Sequence, residues 1–340
     1  MPATVGAVTP EALQDASRRA RLVLAAVWVL DGFLQFQPYM FTPAFGKQML
    51  AGAAQGNPRV IAQPVVWAAG IIAEHPVATN ALFATIQLAL GLGIAFRGTV
   101  KPALAASIVW SVGVWWLGEG LGGVLTGSAN PLSGAPGAVI LYALLAVLLW
   151  PTPDNSKLSD RTWSFLAARS VGPKVAGALW ALLWGFSAYL ALQPANRSPQ
   201  AVHDVITAMA EGQPAGLAHL EQAAGRALAG HGGPAAVILA VVFTIIAVGV
   251  FLPPPLTRAV LALTVLFAGV IWVVGEALGG VLTGQGTDPY SGPLLALLAA
   301  VFWPLRIGNA SPARELSSAG APGPAIGQQP TAHQPTAQHG

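Results

Sequence analysis

"WWLGEGLGGVLTG", residues 115–127, decides how the rest of the chain is read, because nearly the same letters return as "WVVGEALGGVLTG" at 272–284. Each copy sets one carboxylate, Glu119 and then Glu276, inside an apolar, glycine-rich segment. The pair belongs to a longer register. Trp28 and Trp184, Gln37 and Gln193, Gly56 and Gly212, His75 and His231, and Gly93 and Gly249 all stand 156 apart. The offset becomes 157 at Lys101/Arg258, Trp115/Trp272, Glu119/Glu276 and Thr126/Thr283, and 158 at Pro131/Pro289 and Ser133/Ser291. Both halves then close on Trp-Pro, at 150–151 and 303–304. The chain reads as a tandem duplication.

Of the 340 residues, 54% are hydrophobic and 9% are charged, against roughly 25% charged in an average soluble domain. That is the composition of a membrane protein, and its first partner is the lipid bilayer. Crossing a hydrocarbon core of about 30 Å takes about 20 apolar residues. Spans are expected near 22–40, 77–96, 103–121, 135–150, 175–194, 234–252, 259–278 and 290–305, of which the fourth and eighth are short. The fold class is therefore all-α and polytopic, with eight transmembrane helices as two fused four-helix repeats. An even number of spans per unit gives the repeats a parallel orientation.

Positively charged loops resist translocation. With the N-terminus inside, the cytoplasm receives Arg18, Arg19, Arg21, Arg97, Lys101, Lys157, Arg161, Arg169, Lys174, Arg258, Arg306 and Arg314, and the outside only Lys47, Arg59, Arg197 and Arg226. Both termini are then cytoplasmic, in the cell membrane, and both glycine-rich stretches lie at the outer face. The domain boundaries follow: 1–21 a cytoplasmic segment, 22–151 the first repeat, 152–174 a cytoplasmic linker, 175–305 the second repeat, and 306–340 a Pro/Gln/Gly-rich cytoplasmic tail expected to be disordered. Glu11 and Asp15 among the arginines of the N-terminal segment do not suit a secretory signal, so the first apolar run is expected to stay as an anchor. The loops 41–76 and 195–233 fall outside, and "LAHLEQAAGRALAG" in the second suits an amphipathic helix.

Composition also narrows the chemistry. With no cysteine, thiolate nucleophiles and cysteine-ligated zinc or iron-sulfur centres are excluded. A net charge of +3 built from few charges gives no ground for a nucleic-acid partner. His75 and His231 precede the second span of each half, where surface exposure or a capping position is favoured over a metal site. Tryptophans including Trp67, Trp110, Trp116, Trp150 and Trp303 near span ends suit an interfacial belt.

An acid at hydrocarbon depth costs about 2.5–3.5 kcal/mol on insertion scales, so one found there lines a cavity or has a partner. Asp31 is the deepest, with Ser187 at its place in the second half and Gln35 following it outward. For Glu119 and Glu276 two readings stand side by side. In one, each accepts hydrogen bonds from Thr126 or Thr283, from the indoles of Trp115 or Trp272, or from backbone N–H groups of the glycine-rich turn. In the other, Asp31, Glu119 and Glu276 form a protonatable site, with Gln35, Thr126, Thr283, Trp115, Trp272, Asn130 and Asp288 around the ligand. Gly118/Gly122 and Gly275/Gly279 make GxxxG spacings, for which close helix packing is the first expectation. The G-x-G-x-x-G at 118–123 lacks the strand that a dinucleotide site needs.

Within each half, a basic residue opens the first span ("RLVLAAVWVLDGFLQF"), and a long outer loop follows. A glycine-ended second span then makes a basic turn into the third, "LALGLGIAFRGTVKPALA" and then "IIAVGVFLPPPLTRAVLAL". In this order of features residues 21–305 resemble two fused copies of the DoxX/DoxD family of four-helix membrane proteins. The resemblance implies an integral membrane subunit of a quinone-linked redox system, with sulfur-compound oxidation as the associated chemistry. It implies no intrinsic cofactor, a quinone as the bound group, and a soluble or membrane redox partner. Read from the residues alone, paired acids and glycine-broken helices also suit a permease for a small solute or ion, and a non-catalytic scaffold subunit is a third reading.

Overall fold

The computed structural model describes residues 9–152 and 163–306, so residues 153–162 of the expected linker and all of the expected tail after Arg306 lie outside the described residues. Twelve α-helices are described: α1 Pro10–Leu34, α2 Arg59–Glu74, α3 Pro76–Ala95, α4 Val100–Leu117, α5 Ala138–Leu148, α6 Ala167–Val171, α7 Pro173–Ala191, α8 Ala201–Met209, α9 Ala215–Leu228, α10 Gly232–Gly249, α11 Pro254–Val270 and α12 Ser291–Val301. A two-residue antiparallel pair, β1 (Trp163–Ser164) with β2 (Leu305–Arg306), is the single strand pairing among the described residues. Apart from that pair, the regular structure among the described residues is helical.

Five helices are long and apolar enough to cross a membrane: α3, α4, α7, α10, and α11 with its extension to Gly275. The other three expected spans differ. Helix α1 has 25 residues but carries Arg18, Arg19 and Arg21 in its first half and Asp31 in its second. Helices α5 and α12 have only 11 residues each, which is about 16 Å against a core of about 30 Å. Helix α5 begins three residues later than expected because "NPLSGAPG" holds the chain out of helical conformation, with Gly134 and Gly137 at φ +92° and +122°; α12 begins one residue after its expected start, behind Tyr290 at φ +61°, and ends four residues early, at Val301.

The packing explains how such short helices are housed. Helix α1 lies on α3, α4 on α5, α7 on α10 and α11 on α12, while α5 and α12 touch each other. "AVILYALLAVL" and "SGPLLALLAAV" are apolar nearly all round, as suits helices that bury most of their residues. Close approach rests on glycine. A methyl on Gly91 would lie 2.7 Å from the Ala25 carbonyl oxygen, so α1 and α3 meet backbone to backbone there. Not all tryptophans belong to a belt: Trp28, Trp180 and Trp184 are core residues, with Trp28 against Tyr142 at 4.3 Å and Trp180 against Phe302 at 4.7 Å between ring centres. Trp67 and Trp116 are exposed.

Two segments depart from expectation. Residues 164–171 of the expected linker are packed: Leu166, Ala167 and Ala168 are buried, and the Arg169 guanidinium donates to Ser17 Oγ at 3.0 Å. "LAHLEQAAGRALAG" does form α9, but Glu221 turns inward, 0% exposed, with neither carboxylate oxygen hydrogen-bonded. Burial pushes this carboxyl from its ordinary 4.5 up to about 7. A carboxyl whose pKa is raised on folding leaves stability intact below its unfolded value and erodes it as pH rises through the folded one. Glu221→Gln should therefore match the parent near pH 4 and be the more stable above pH about 7, by on the order of 2 kcal/mol. Thermal unfolding of both proteins at pH 4 and pH 8 checks this.

Candidate functional site

The duplicated motif folds into an uncommon turn. Gly120, Leu121, Gly122 and Gly123 have φ of +56°, +60°, +63° and +65°, and Ala277, Leu278, Gly279 and Gly280 have +48°, +58°, +75° and +63°. Four successive residues in each copy are left-handed, which costs an L-residue roughly 1–2 kcal/mol and a glycine almost nothing. The glycines are also needed for space. A methyl on Gly122 would overlap the Pro136 carbonyl oxygen, and one on Gly279 would lie 2.6 Å from the Asp288 carbonyl oxygen. The GxxxG expectation fails for the same reason: α4 ends at Leu117, Gly118 caps it, and Gly122 sits in the turn rather than on a helix.

Each turn delivers its carboxylate to the first turn of the short helix that follows. Glu276 is 0% exposed; its Oε1 accepts from Ser291 Oγ and from Ser291 N at 3.3 Å, and its Oε2 from Gly292 N at 3.1 Å. Glu119 Oε1 accepts from Val139 N at 3.2 Å. Both are long-range caps on helix N-termini, where unpaired N–H groups and the helix dipole favour an anion. Val139 and Gly292 are each the second residue of their helix. The first residue differs: Ser291 supplies a hydroxyl to Glu276, whereas Ala138 supplies none to Glu119. Glu119 Oε2 is left buried without a partner.

The other expected site residues have mostly local duties. Thr126 and Thr283 do not reach the glutamates; each closes its own turn by donating to the Gly123 or Gly280 carbonyl at 2.7 Å. Asn130 Oδ1 accepts from Leu132 N at 2.9 Å and Asp288 Oδ1 from Tyr290 N at 2.8 Å, the same turn-forming bond twice. The Trp115 indole donates to the Pro136 carbonyl at 2.6 Å, while the Trp272 indole N–H is buried without a partner and its ring packs on Gly292. His75 and His231 do occupy N-cap positions, of α3 and α10, without a side-chain capping bond.

The two halves interlock around these loops. Gln37 donates to Gly286 O at 2.9 Å, Asn196 donates to Ala129 O at 2.8 Å, and Gly134 lies against Glu276 Oε1. Asp31 is 2% exposed and faces the Tyr142 hydroxyl, although Asp31 Oδ1 and the Tyr142 oxygen complete no hydrogen bond of ordinary geometry. Gln35 is buried, its carbonyl accepting from Asn80 Nδ2 at 2.6 Å and its Oε1 without a partner. Asp288 ties the acids together: its charge reaches Asp31, Glu119 and Glu276, and burial holds its own carboxyl above the ordinary range. Among the described residues none of the four has a Lys, Arg or His ion-pair partner. No three His, Asp or Glu side chains among them are placed to hold a metal ion.

Tyr142, Asn80 and Tyr290 were not picked out by sequence reasoning. The available signal is a lone polar residue in an apolar run, which Tyr142 is.

Two cavities lie in this region, and Glu119 lines one of them. A polar one of about 380 Å³ is lined by Glu119 with Asn57, Thr126, Asn130, Ser133 and Tyr290. An apolar groove of about 440 Å³ runs between α5 and α7, with Leu144, Leu183 and Phe186 along it and Trp115 and Pro136 at its end. Gly137 separates the two, in contact with both the Trp115 indole and Glu119 Oε2. No protein-family model, curated protein or solved structure matches this chain.

Proposed function

We propose that this is an integral membrane subunit of a quinone-linked redox system, with the quinone ring held at the Trp115 end of the α5/α7 groove and Glu119 as its proton donor and acceptor. In this reading the chain is a multi-pass cell-membrane protein of eight membrane-embedded helices, two fused four-helix units in parallel orientation. Both termini are cytoplasmic, in line with the distribution of Lys and Arg. The observation that carries it is the placing of Glu119. A greasy groove rimmed by Leu182, 69% exposed, ends on the Trp115 indole, and Gly137, which lies against that indole, also lies against the Glu119 carboxylate oxygen that has no partner. A membrane-soluble ring needs an apolar approach, an aromatic face and, on taking up two electrons, two protons. The chain supplies the first two and a proton-carrying group. The electrons come from a donor such as thiosulfate, two of which join with loss of two electrons, and the resemblance to DoxX/DoxD proteins points to that chemistry.

A permease is the second reading, favoured by the polar cavity on the other face of Glu119 and by half-length helices whose N-termini meet acids inside the protein. The test is binding and thiosulfate-dependent reduction of a quinone analogue by purified protein in liposomes, for the parent, Glu119→Gln and the groove-filling Leu144→Trp. Binding weakened at least tenfold by Leu144→Trp, with reduction lost in Glu119→Gln, is the expected result. Unchanged binding in folded Leu144→Trp protein would rule out the groove as the quinone site. Solute flux that is lost in Glu119→Gln, with no analogue bound, would put the permease in place of the redox subunit.

A further inference from the structure

At the end of the bundle opposite the glutamate loops lies a third cavity, of about 370 Å³, framed by the start of α1, the turn from α3 to α4, the end of α5 and the segment holding α6. Four of its lining residues are arginines, Arg18, Arg21, Arg97 and Arg169, and one is an acid, Asp15. Two of the arginines are set by packing. Arg169 is buried and donates to Ser17 Oγ at 3.0 Å, and Arg21 is partly buried with its guanidinium directed to the Leu149 carbonyl at 3.4 Å. Arg21 feels the positive charges of both Arg169 and Arg18, so like charges are gathered where burial makes their repulsion strong.

The remaining wall is apolar, including Leu22, Ile94, Leu149 and Trp150, and Leu22 is also part of the exposed apolar surface. Arginines beside an apolar wall suit an anionic head group on an acyl tail. Guanidinium forks also match phosphate oxygens in geometry. The second half of the chain has not kept this arrangement. At the offset of 156 it retains Lys174 for Arg18 but has Gly177 for Arg21 and Pro253 for Arg97. Gly177 packs on the Phe251 ring instead. The cavity is therefore not a by-product of the shared helix pattern.

We propose that this pocket binds a phosphate group, carried by an anionic phospholipid or present as free phosphate, through Arg18, Arg21 and Arg97. The site is independent of the quinone reading and stands at the other end of the molecule. The experiment is native mass spectrometry of the full chain, delipidated in detergent and titrated separately with phosphatidylglycerol, phosphatidylcholine and inorganic phosphate. Arg18→Gln/Arg97→Gln, both at exposed positions, is the test variant, and Glu11→Gln is the control. Phosphatidylglycerol is expected to bind at least tenfold more tightly than phosphatidylcholine, and the double variant to lose at least tenfold of that affinity. Displacement by millimolar inorganic phosphate would identify free phosphate as the ligand, and its failure to displace would identify the lipid. Equal binding of the two lipids with no phosphate bound, or full affinity in the double variant, would overturn the proposal.

Discussion

Gly122→Ala is expected to leave little folded protein in the membrane fraction. The position stands at φ +63°, and a methyl there would overlap the Pro136 carbonyl oxygen. Neither fault has a cheap remedy. The conformational penalty is about 1–2 kcal/mol, and the obstacle is backbone in the segment that leads into α5 rather than the end of a flexible side chain. Moving that segment would also pull Val139 N from Glu119 and the Pro136 carbonyl from the Trp115 indole. A total above about 3 kcal/mol is the expected loss, a large part of a native protein's margin. Gly123→Ala is the matched comparison: it has the same sign of φ, +65°, but its methyl would meet nothing closer than Thr126 at 3.8 Å. It should cost only the conformational part. Folded yield by fluorescence-detected size exclusion and thermal unfolding of both variants separates the two contributions.

The second large effect divides the two glutamates. Glu276 and Glu119 look interchangeable in the sequence, yet Glu276 satisfies three donors and Glu119 one. Glu276→Gln should thus be the destabilising change. It weakens two charge-assisted bonds to the first turn of α12 and turns an amide N–H₂ toward N–H donors, at about 2–3 kcal/mol. Glu119→Gln gives up one backbone bond and relieves a buried oxygen that has no partner, so its stability should change by less than about 1 kcal/mol while ligand function is lost. Ala138→Ser offers a further check. It places at the head of α5 the hydroxyl that Ser291 gives Glu276, and should stabilise the fold while blunting Glu119 as a proton carrier.

The all-helical membrane class is legible in the sequence, because hydropathy over 20-residue windows reports a requirement that every spanning helix shares. So are the two glutamates, because Glu119 and Glu276 recur in one register. The shortness of α5 and α12 is only half visible. "NPLSGAPG" announces a turn, but how far a turn shortens a helix depends on what surrounds it, and here the surrounding helices remove any need to span. The partners of the glutamates are hidden for a similar reason. Thr126 and Thr283 are near in sequence and are natural candidates, yet the left-handed turn points the carboxylates away from them, toward helix starts 15 to 20 residues downstream. Nothing in composition reveals four consecutive positive φ values when Leu121, Ala277 and Leu278 take part. Aligning Ser133 with Ser291 by letters misleads as well: the residue that heads α5, as Ser291 heads α12, is Ala138. The two Glu contexts differ at that residue: Ser291 gives Glu276 both its hydroxyl and its backbone N–H, and Ala138 gives Glu119 neither.

The duplicated carboxylate thus has both oxygens bonded to its helix start in one copy and only one of them in the other. Thermal unfolding of Glu276→Gln and Glu119→Gln, side by side in the same detergent at pH 7, tests this most directly and requires no knowledge of the ligand. The expected result is a midpoint several degrees lower for Glu276→Gln, at about 2–4 °C per kcal/mol, and a midpoint for Glu119→Gln within about one degree of the parent. Equal losses in the two variants, or the larger loss in Glu119→Gln, would contradict it.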